Sequence, residues 1–558
     1  MGTAGKIQRS RRRHLRWLRG PLALASVAVG FATAGQAQRK DTGTLTIVVG
    51  AEPNLPVRLL AANKADIDAA SLMFAPLAWL NKKLMTADES AFEPALARGW
   101  SRRDSLTLVF ELDPRARWHD GTPITSRDVV WTLNTARDLA AFPVFALLMR
   151  EIASVTAQGP ERVVVTFKRA YAEQFYDVVY HVAPLPAHLL DTIPAKRLDA
   201  SAFAANPVGS GPYRMGTREP GRQVDFVARA DFFLGPPKIT RIVFLLARNA
   251  EAQLNLMLDG SADAFESAVL ARQIAPVVGR PNLRIVTGPW LSVGYLLFNR
   301  KAYGDRQTAH PILADLGVRQ AIVHALDRPT LIRSVFGPYA AVAEGPMGQA
   351  TWIRRVAPKQ PGFDPDRSRR LLRERGWLDR DGDGIVEKDG RPLSLRMMYP
   401  SSNIPRVALG EPIQEMLRRV GIKLELDRLE PRVWLQRRSR GEFDIDFSQV
   451  TLDPSPTGIV QSWTCAGIGG SNAASICDQS FDRALERAIA ERDEPAPRWR
   501  DAIAALHANA PAAFVFAPTQ TVVLSTRYRQ VDIRAEAPWS HVWRWSVDPG
   551  QRLARDDR

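Results

Sequence analysis

The chain has 558 residues, of which 45% are hydrophobic and 24% charged, enough apolar content for two or three domains with substantial cores and incompatible with a wholly disordered chain. A formal charge of +16 raises nucleic acid or an anionic membrane as partners, yet seven basic residues (Lys6, Arg9, Arg11, Arg12, Arg13, Arg16, Arg19) precede the first apolar stretch, and without them 68 basic face 59 acidic residues, or +9. The remaining excess is spread over segments such as Arg367 to Arg375 and Arg432 to Arg440 and is not interleaved with aromatics, so it reads as solvated helix faces and excludes a dedicated nucleic-acid stripe.

The first 37 residues have the three parts of a cleaved export signal: the basic start, the apolar run Pro21 to Ala34, and a small-residue exit at Gly35-Gln-Ala37. The apolar run is shorter than the roughly 20 residues a bilayer anchor needs. Ser10-Arg-Arg-Arg-His-Leu-Arg16 resembles a twin-arginine export box, although His14 stands where an apolar residue is usual, so the Sec route stays open. No cysteine follows the exit that could carry a lipid, which points to a free periplasmic protein.

Leu45-Thr-Ile-Val-Val49 reads as a first strand, and Leu106 to Leu112 alternates as a half-buried strand should. Next comes Arg117-Trp-His-Asp-Gly-Thr-Pro-Ile-Thr-Ser-Arg-Asp-Val-Val130. Asp120-Gly121 supplies a turn, Pro123 stiffens the following step, and Thr125 with Asp128 forms a capping box that opens a helix. Turn chemistry therefore accounts for His119 and Asp120 without a ligand. A hairpin around Gly159-Pro160 joins a strand near Val155 to Arg162-Val-Val-Val-Thr-Phe167. His181 and His188 flank Pro184 and Pro186 in a loop entering a helix, where structural roles outweigh metal ligation.

Further along, Phe363 to Trp377 is a helix whose ends are written in the chain: Asp364 caps it, Pro365 takes the first helical position and Gly376 stops it. Asp379-Arg-Asp-Gly-Asp-Gly384 fits the first half of a calcium loop, but the twelfth position is Gly390, and Glu387 or Asp389 could close the shell only with altered geometry. A polar turn leading into the strand Arg391 to Arg396 is the favoured reading. Ile413, Met416, Leu417 and Val420 mark one helical face, Gly421 ends it, and Ile422, Leu424 and Leu426 continue as a strand. The two cysteines, Cys465 and Cys477, are spaced for a short disulfide loop in an oxidising compartment, and their spacing is not that of a zinc site. Irregularly mixed strands and helices give an α/β class.

The Arg117–Val130 string resembles the signature of the family 5 extracellular solute-binding proteins, the receptors of peptide and nickel ABC importers. In the same order, Asn206 to Tyr213 is similar to that family's interdomain turn, Val293 to Asn299 to its hinge-proximal strand, and Val318 to Arg328 and Phe363 to Trp377 to two of its helices. The resemblance implies a two-lobed, hinged periplasmic binding protein fold with an extra inserted subdomain. Lobe I would comprise 41–70, 206–288 and 515–558, the inserted subdomain 71–205, and lobe II 289–514, with two chain crossings as the hinge.

It also implies a function: capture of a short peptide or peptide-like ligand between the lobes, and delivery to the permease subunits of an importer by a monomer with no cofactor. Closure buries the ligand, so a peptide's ammonium needs a carboxylate partner. Phe443 to Asp453 aligns without gaps on the segment where peptide-binding members place that aspartate, which nominates Asp453. Family peptide receptors often carry Arg and Trp in this stretch, where this chain has Phe447 and Val450. Asp453 before Pro454-Ser455-Pro456 is equally a turn residue. Trp290, Tyr295, Asn299 and Trp463 are the further candidate pocket residues, aromatics offering apolar contact with one polar handle. For Trp290 and Tyr295 core packing is the competing role, and Arg438 and Arg440 are weaker candidates for a ligand carboxylate.

A secreted hydrolase is the rival class. The chain has no Gly-x-Ser-x-Gly elbow, no phosphate loop and no His-Glu-x-x-His helix, and a non-enzymatic receptor follows. Within the binding class, relatives of the same shape carry nickel chelates, haem, opines or oligosaccharides, so shape leaves the cargo open.

Overall fold

The computed structural model of the chain describes residues 42–267 and 271–557. The export-signal reading of residues 1–37 lies outside the described residues. Among these, no helix is long and apolar enough to cross a membrane.

A mixed sheet of 12 strands forms the spine. Its path runs through Lys423–Leu429, Ser394–Pro400, Ile445–Thr451, Ser292–Phe298, Ala512–Ser525, Ala264–Ser267, Gly43–Val49, Ile239–Leu246, Gln223–Ala228 and Tyr213–Glu219, with Leu283–Pro289 and Ala340–Val342 also paired to the long strand. Gly43–Val49 lies parallel to Ile239–Leu246, and Ser394–Pro400 parallel to Lys423–Leu429. Gly43–Val49 is buried on both faces, which is why its second half reads as an apolar run, whereas Lys423–Leu429, at the sheet edge, is largely half-buried and alternates.

The long strand Ala512–Ser525 changes partners midway. Its first half pairs with Ser292–Phe298 and Ala340–Val342, and its second half, from Thr519, with Leu283–Pro289 and Ala264–Ser267. Pro518, which has no N–H to give a ladder, ends the first half. A second passage, Trp290-Leu291, joins Leu283–Pro289 to Ser292–Phe298. It runs beside the first, since Pro289 pairs with Thr519. The partner change therefore falls at Pro518–Thr519, inside a strand, and not between residues 514 and 515.

Four buried clusters fill the molecule. One joins Leu45, Ile47, Phe244 and Leu524 of the sheet to Leu108, Phe110, Val165 and Phe167 of a four-stranded antiparallel sheet, so the segment 71–205 shares one core with the strands of Gly43–Val49 and Ile239–Leu246. Two more cover the opposite faces of the strands Ser292–Phe298 and Ser394–Pro400, and a small fourth packs around Met257 and Phe265. In the strand Thr107–Leu112 only the alternate residues Leu108, Phe110 and Leu112 enter the shared core, yet Thr107 and Val109 on the other face are buried as well.

The hairpin about Gly159 joins Ile152–Ala157 to Arg162–Phe167. The helix Pro365–Glu374 is capped by Asp364, whose carboxylate accepts the Arg367 N–H at 2.7 Å. The helix Ile404–Arg418 runs on through Gly421, at φ +91°, into Lys423–Leu429. Cys465 and Cys477 are joined by a disulfide.

Candidate functional site

The string Arg117–Val130 works as a clasp. The backbone N–H of His119 donates to Gly209 O at 2.8 Å, its Nδ1 accepts the Gly209 N–H at 3.1 Å, and its Nε2 lies 3.2 Å from Gly211 O. One ring nitrogen must accept and the other donate, so the imidazole is the neutral Nε2–H form. Burial, with help from the Arg229 charge, lowers its pKa to about 4. The clasped turn in turn seats the helix Lys64–Met73: Gly211 N–H donates to Met73 O at 2.7 Å, and Ser210 Oγ accepts the Ala75 N–H at 3.0 Å. Asp120 pairs with His188 at 2.7 Å, and Asp128 accepts the Thr125 N–H at 2.8 Å, the reciprocal half of the capping box. His181 lies 3.4 Å from Asp177. All of these positions hold the fold, and none faces a cavity except Asp177.

The five nominated pocket residues divide. Tyr295, Asn299 and Trp463 do not line a cleft. Tyr295 is 3% exposed, stacks at 5.1 Å on Trp463 and 5.8 Å on Phe514, and burial pushes its phenol up to about 12. Asn299 is 1% exposed and spends its amide on the carbonyls of Gly441 and Phe443 and its oxygen on the Lys301 N–H. Trp463 belongs to the same core. Tyr295 lies on Ser292–Phe298, a strand buried on both faces, and Trp463 ends the short helix Ile459–Trp463 that packs on it. Trp290 is half-buried in the passage between two strands, its carbonyl accepting the Ala350 N–H at 2.9 Å, and it is not part of the wall of the cavity that Arg58 and Tyr180 line. Arg438 is taken by buried Asp446 at 2.9 Å, and Arg440 stands 3.8 Å from Glu442.

Asp453 is different. It is half-buried just beyond the strand Ile445–Thr451, and no hydrogen bond or ion pair satisfies it among the described residues. Its charge is felt across the fold by Arg58, Tyr176 and Tyr180. Burial works against the Arg58 guanidinium, but Tyr180 and Asp453 more than offset it and its pKa stands above the ordinary value. Burial first, then the Asp453 charge, hold the Tyr180 phenol well above its usual range.

Arg58 and Tyr180 line a cavity of about 110 Å³ with Ile67, Ser71, Phe74, Trp79, Glu536 and their neighbours. Arg58 lies 5.6 Å over the Tyr180 ring, which stacks at 4.6 Å on Tyr176. Glu536 turns a buried, unpartnered Oε2 toward this space, and burial pushes its carboxyl up to about 7. The helix Lys64–Met73, positioned by the clasp, supplies Ile67, Ala70 and Ser71 to the wall. Mostly apolar walls carrying one guanidinium and one carboxylate, with the Asp453 charge acting on that guanidinium, can desolvate an organic ligand while pairing both a positive and a negative group. Sequence reading missed Arg58, Tyr180 and Glu536. The signals that could have found them are an arginine inside the apolar run Leu55 to Leu60 and the one-turn spacing of Tyr176 and Tyr180.

A metal has one candidate set among the described residues: Asp379, Asp381 and Glu387, whose carboxylate oxygens lie within 4.8 Å of one another. These carboxylates serve the turn itself. Asp379 accepts the N–H groups of Gly382 and Gly384 at 2.8 and 3.1 Å, and Glu387 that of Arg380 at 2.9 Å.

Comparison with known proteins returns one family description, "Bacterial extracellular solute-binding proteins, family 5 Middle", over residues 91–470. A Brucella melitensis protein named for ABC-transporter peptide binding is 27% identical over 462 residues, covering 80% of this chain and 83% of its own. Among solved structures, the oligopeptide-binding protein AppA of Bacillus subtilis, in complex with a nonapeptide, superposes with a TM-score of 0.75 at 22% identity, over 91% of this chain and 99% of its own. NikZ of Campylobacter jejuni, in complex with Ni(L-His), superposes with a TM-score of 0.76, also at 22% identity, over 90% and 99%. Both structures share the mixed α/β fold of this chain.

Proposed function

Because the chain belongs to the family 5 bacterial extracellular solute-binding proteins, a family of receptors and not of enzymes, we propose that it captures a short peptide or peptide-like amine and presents it to the permease of an ABC importer. The export signal of residues 1–37 would place it, once cleaved, in the periplasm. Lobe I (41–70, 206–288 and the chain after Pro518) with its insertion 71–205 closes against lobe II about the two side-by-side passages at Trp290-Leu291 and Pro518-Thr519.

One observation carries the peptide reading. Asp453, from one side of the hinge, is an unsatisfied carboxylate whose charge acts on Arg58 and Tyr180, from the other side, and these two line an apolar cavity. A free peptide brings one ammonium and one carboxylate, and this pair of opposite charges on opposing walls offers a partner to each. The peptide named with AppA and the peptide-binding name of the Brucella relative point the same way. The aromatic faces of Trp79 and Tyr180 accept varied side chains at little cost in specificity.

Titration calorimetry with an unblocked peptide and its N-acetylated twin tests this reading. The free amine should bind more tightly, and Asp453→Ala should remove that advantage at a cost of roughly 2 to 5 kcal/mol. Equal affinities for the two peptides in the unaltered protein would eliminate the ammonium pairing.

A further inference from the structure

A second and larger cavity, of about 330 Å³, lies beside the first. It is lined by Val144, Leu147 and Tyr171 from the insertion and by Thr457, Val460 and Ile489 from the opposite side of the hinge. The segment 171–183 supplies Tyr171 and Asp177 to this cavity and Val179, Tyr180 and Ala183 to the first, and on it stands Glu173, which is 4% exposed. One of its carboxylate oxygens accepts the Thr86 hydroxyl and the other accepts the Ser455 hydroxyl, which is also in contact with Thr457 Oγ1 at 2.7 Å. Glu173 lines neither space.

The order of residues on the two facing walls is the same. Along 171–180, Tyr171 and Asp177 line the larger cavity, Glu173 meets Ser455, and Tyr180 lines the smaller one. Along 453–457, Thr457 lines the larger cavity, Ser455 meets Glu173, and Asp453 acts on Arg58 and Tyr180 at the smaller one. Two strips of chain from opposite sides of the hinge thus serve both cavities and meet where Glu173 accepts the Ser455 hydroxyl, with Thr457 beside it.

We propose that Glu173 and Ser455 form a bar across one continuous cleft, and that this bar sets ligand length by confining ligands to the smaller cavity. The proposal rests on the peptide reading of the site above. Each carboxylate oxygen of Glu173 is engaged by a hydroxyl, so the bar is held from both sides, and a chain longer than the first cavity must break these bonds to reach the second. The second cavity is the larger and is walled by Val144, Leu147, Val460 and Ile489, so an apolar continuation of the same ligand would fill it once the bar is gone. Glu173 is a specificity-determining residue in this account, since it decides which ligands fit without being needed to pair with the ligand's ammonium.

The test compares unblocked dialanine and hexaalanine by titration calorimetry against the unaltered protein, Glu173→Ala and Ser455→Ala. The unaltered protein should prefer the dipeptide, and both variants should gain about tenfold or more for the hexapeptide, with dipeptide affinity held within about twofold. Ser455→Ala removes the bar from the other wall, so a folding defect confined to one variant does not decide the outcome. Unchanged length preference in both folded variants, or loss of affinity for both peptides alike, overturns the bar. If the unaltered protein binds neither peptide, the peptide reading fails, and the bar is judged by amide hydrogen exchange on the same proteins. Faster exchange over 171–180 and 453–457 in both variants supports it, and wild-type rates overturn it.

Discussion

His119 illustrates how much one side chain is asked to do at the residue scale. It satisfies Gly209 and Gly211 through both ring nitrogens, and only the neutral ring can do so. Its pKa in the fold, about 4, lies below the ordinary value near 6.5. The unfolded chain therefore binds the proton first. Stability from this residue is fully present above pH 6.5 and is lost as pH falls toward 4, by an amount on the order of 2 kcal/mol for a partly exposed ring. Buried Glu173 and Glu536, raised to about 7, act with the opposite slope: their contribution is present below about pH 4.5 and fades as pH rises through 7. The His119 term is therefore read as a difference. Urea melts of the protein and of His119→Asn from pH 4 to 8 should show a stability gap that widens up to about pH 6.5 and then stays level. A gap independent of pH would contradict the neutral-ring assignment.

Among the elements, the contact between the turn 206–213 and the helix Lys64–Met73 fixes the ligand wall. A Cβ on Gly209 would stand 2.0 Å from Met73 O, and one on Gly211 2.6 Å from Leu72 O, so both contacts are with backbone that has no room to yield. Gly209→Ala should cost about 1 to 3 kcal/mol, the range of an overpacked core. Because Ile67, Ala70 and Ser71 ride on that helix, it should also weaken ligand binding. Thermal melting with calorimetry on the same sample checks both, and an unaltered melting temperature would show that the turn sits looser than described.

The elements around this contact were legible beforehand where one local rule decides them: the Asp364 cap, the Gly421 stop and the Gly159 hairpin all stand as read. Thr107–Leu112 read as one-sided and is two-sided, since local alternation carries no information about a second covering layer. The site was less legible for the same reason. Tyr295, Asn299 and Trp463 have the chemistry of pocket residues, but all three are buried, Tyr295 and Trp463 in a core assembled from distant segments. Arg58 and Glu536 meet at the cavity wall from opposite ends of the chain, 478 positions apart in number, which no local pattern announces.

For the whole molecule, the account turns on motion about two adjacent passages of chain. The long strand is continuous through the hinge, so bending there trades few hydrogen bonds, and Pro518 leaves one ladder bond absent from the start. The Glu173–Ser455 pair joins the two sides, and a ligand pairing with Asp453 on one side and Arg58 on the other would add differential affinity for the closed form. Small-angle X-ray scattering on the purified protein, with and without a peptide that calorimetry has shown to bind, tests this most directly. The account predicts a smaller radius of gyration on ligand addition. An identical curve with and without saturating ligand would contradict closure of two lobes on a captured solute.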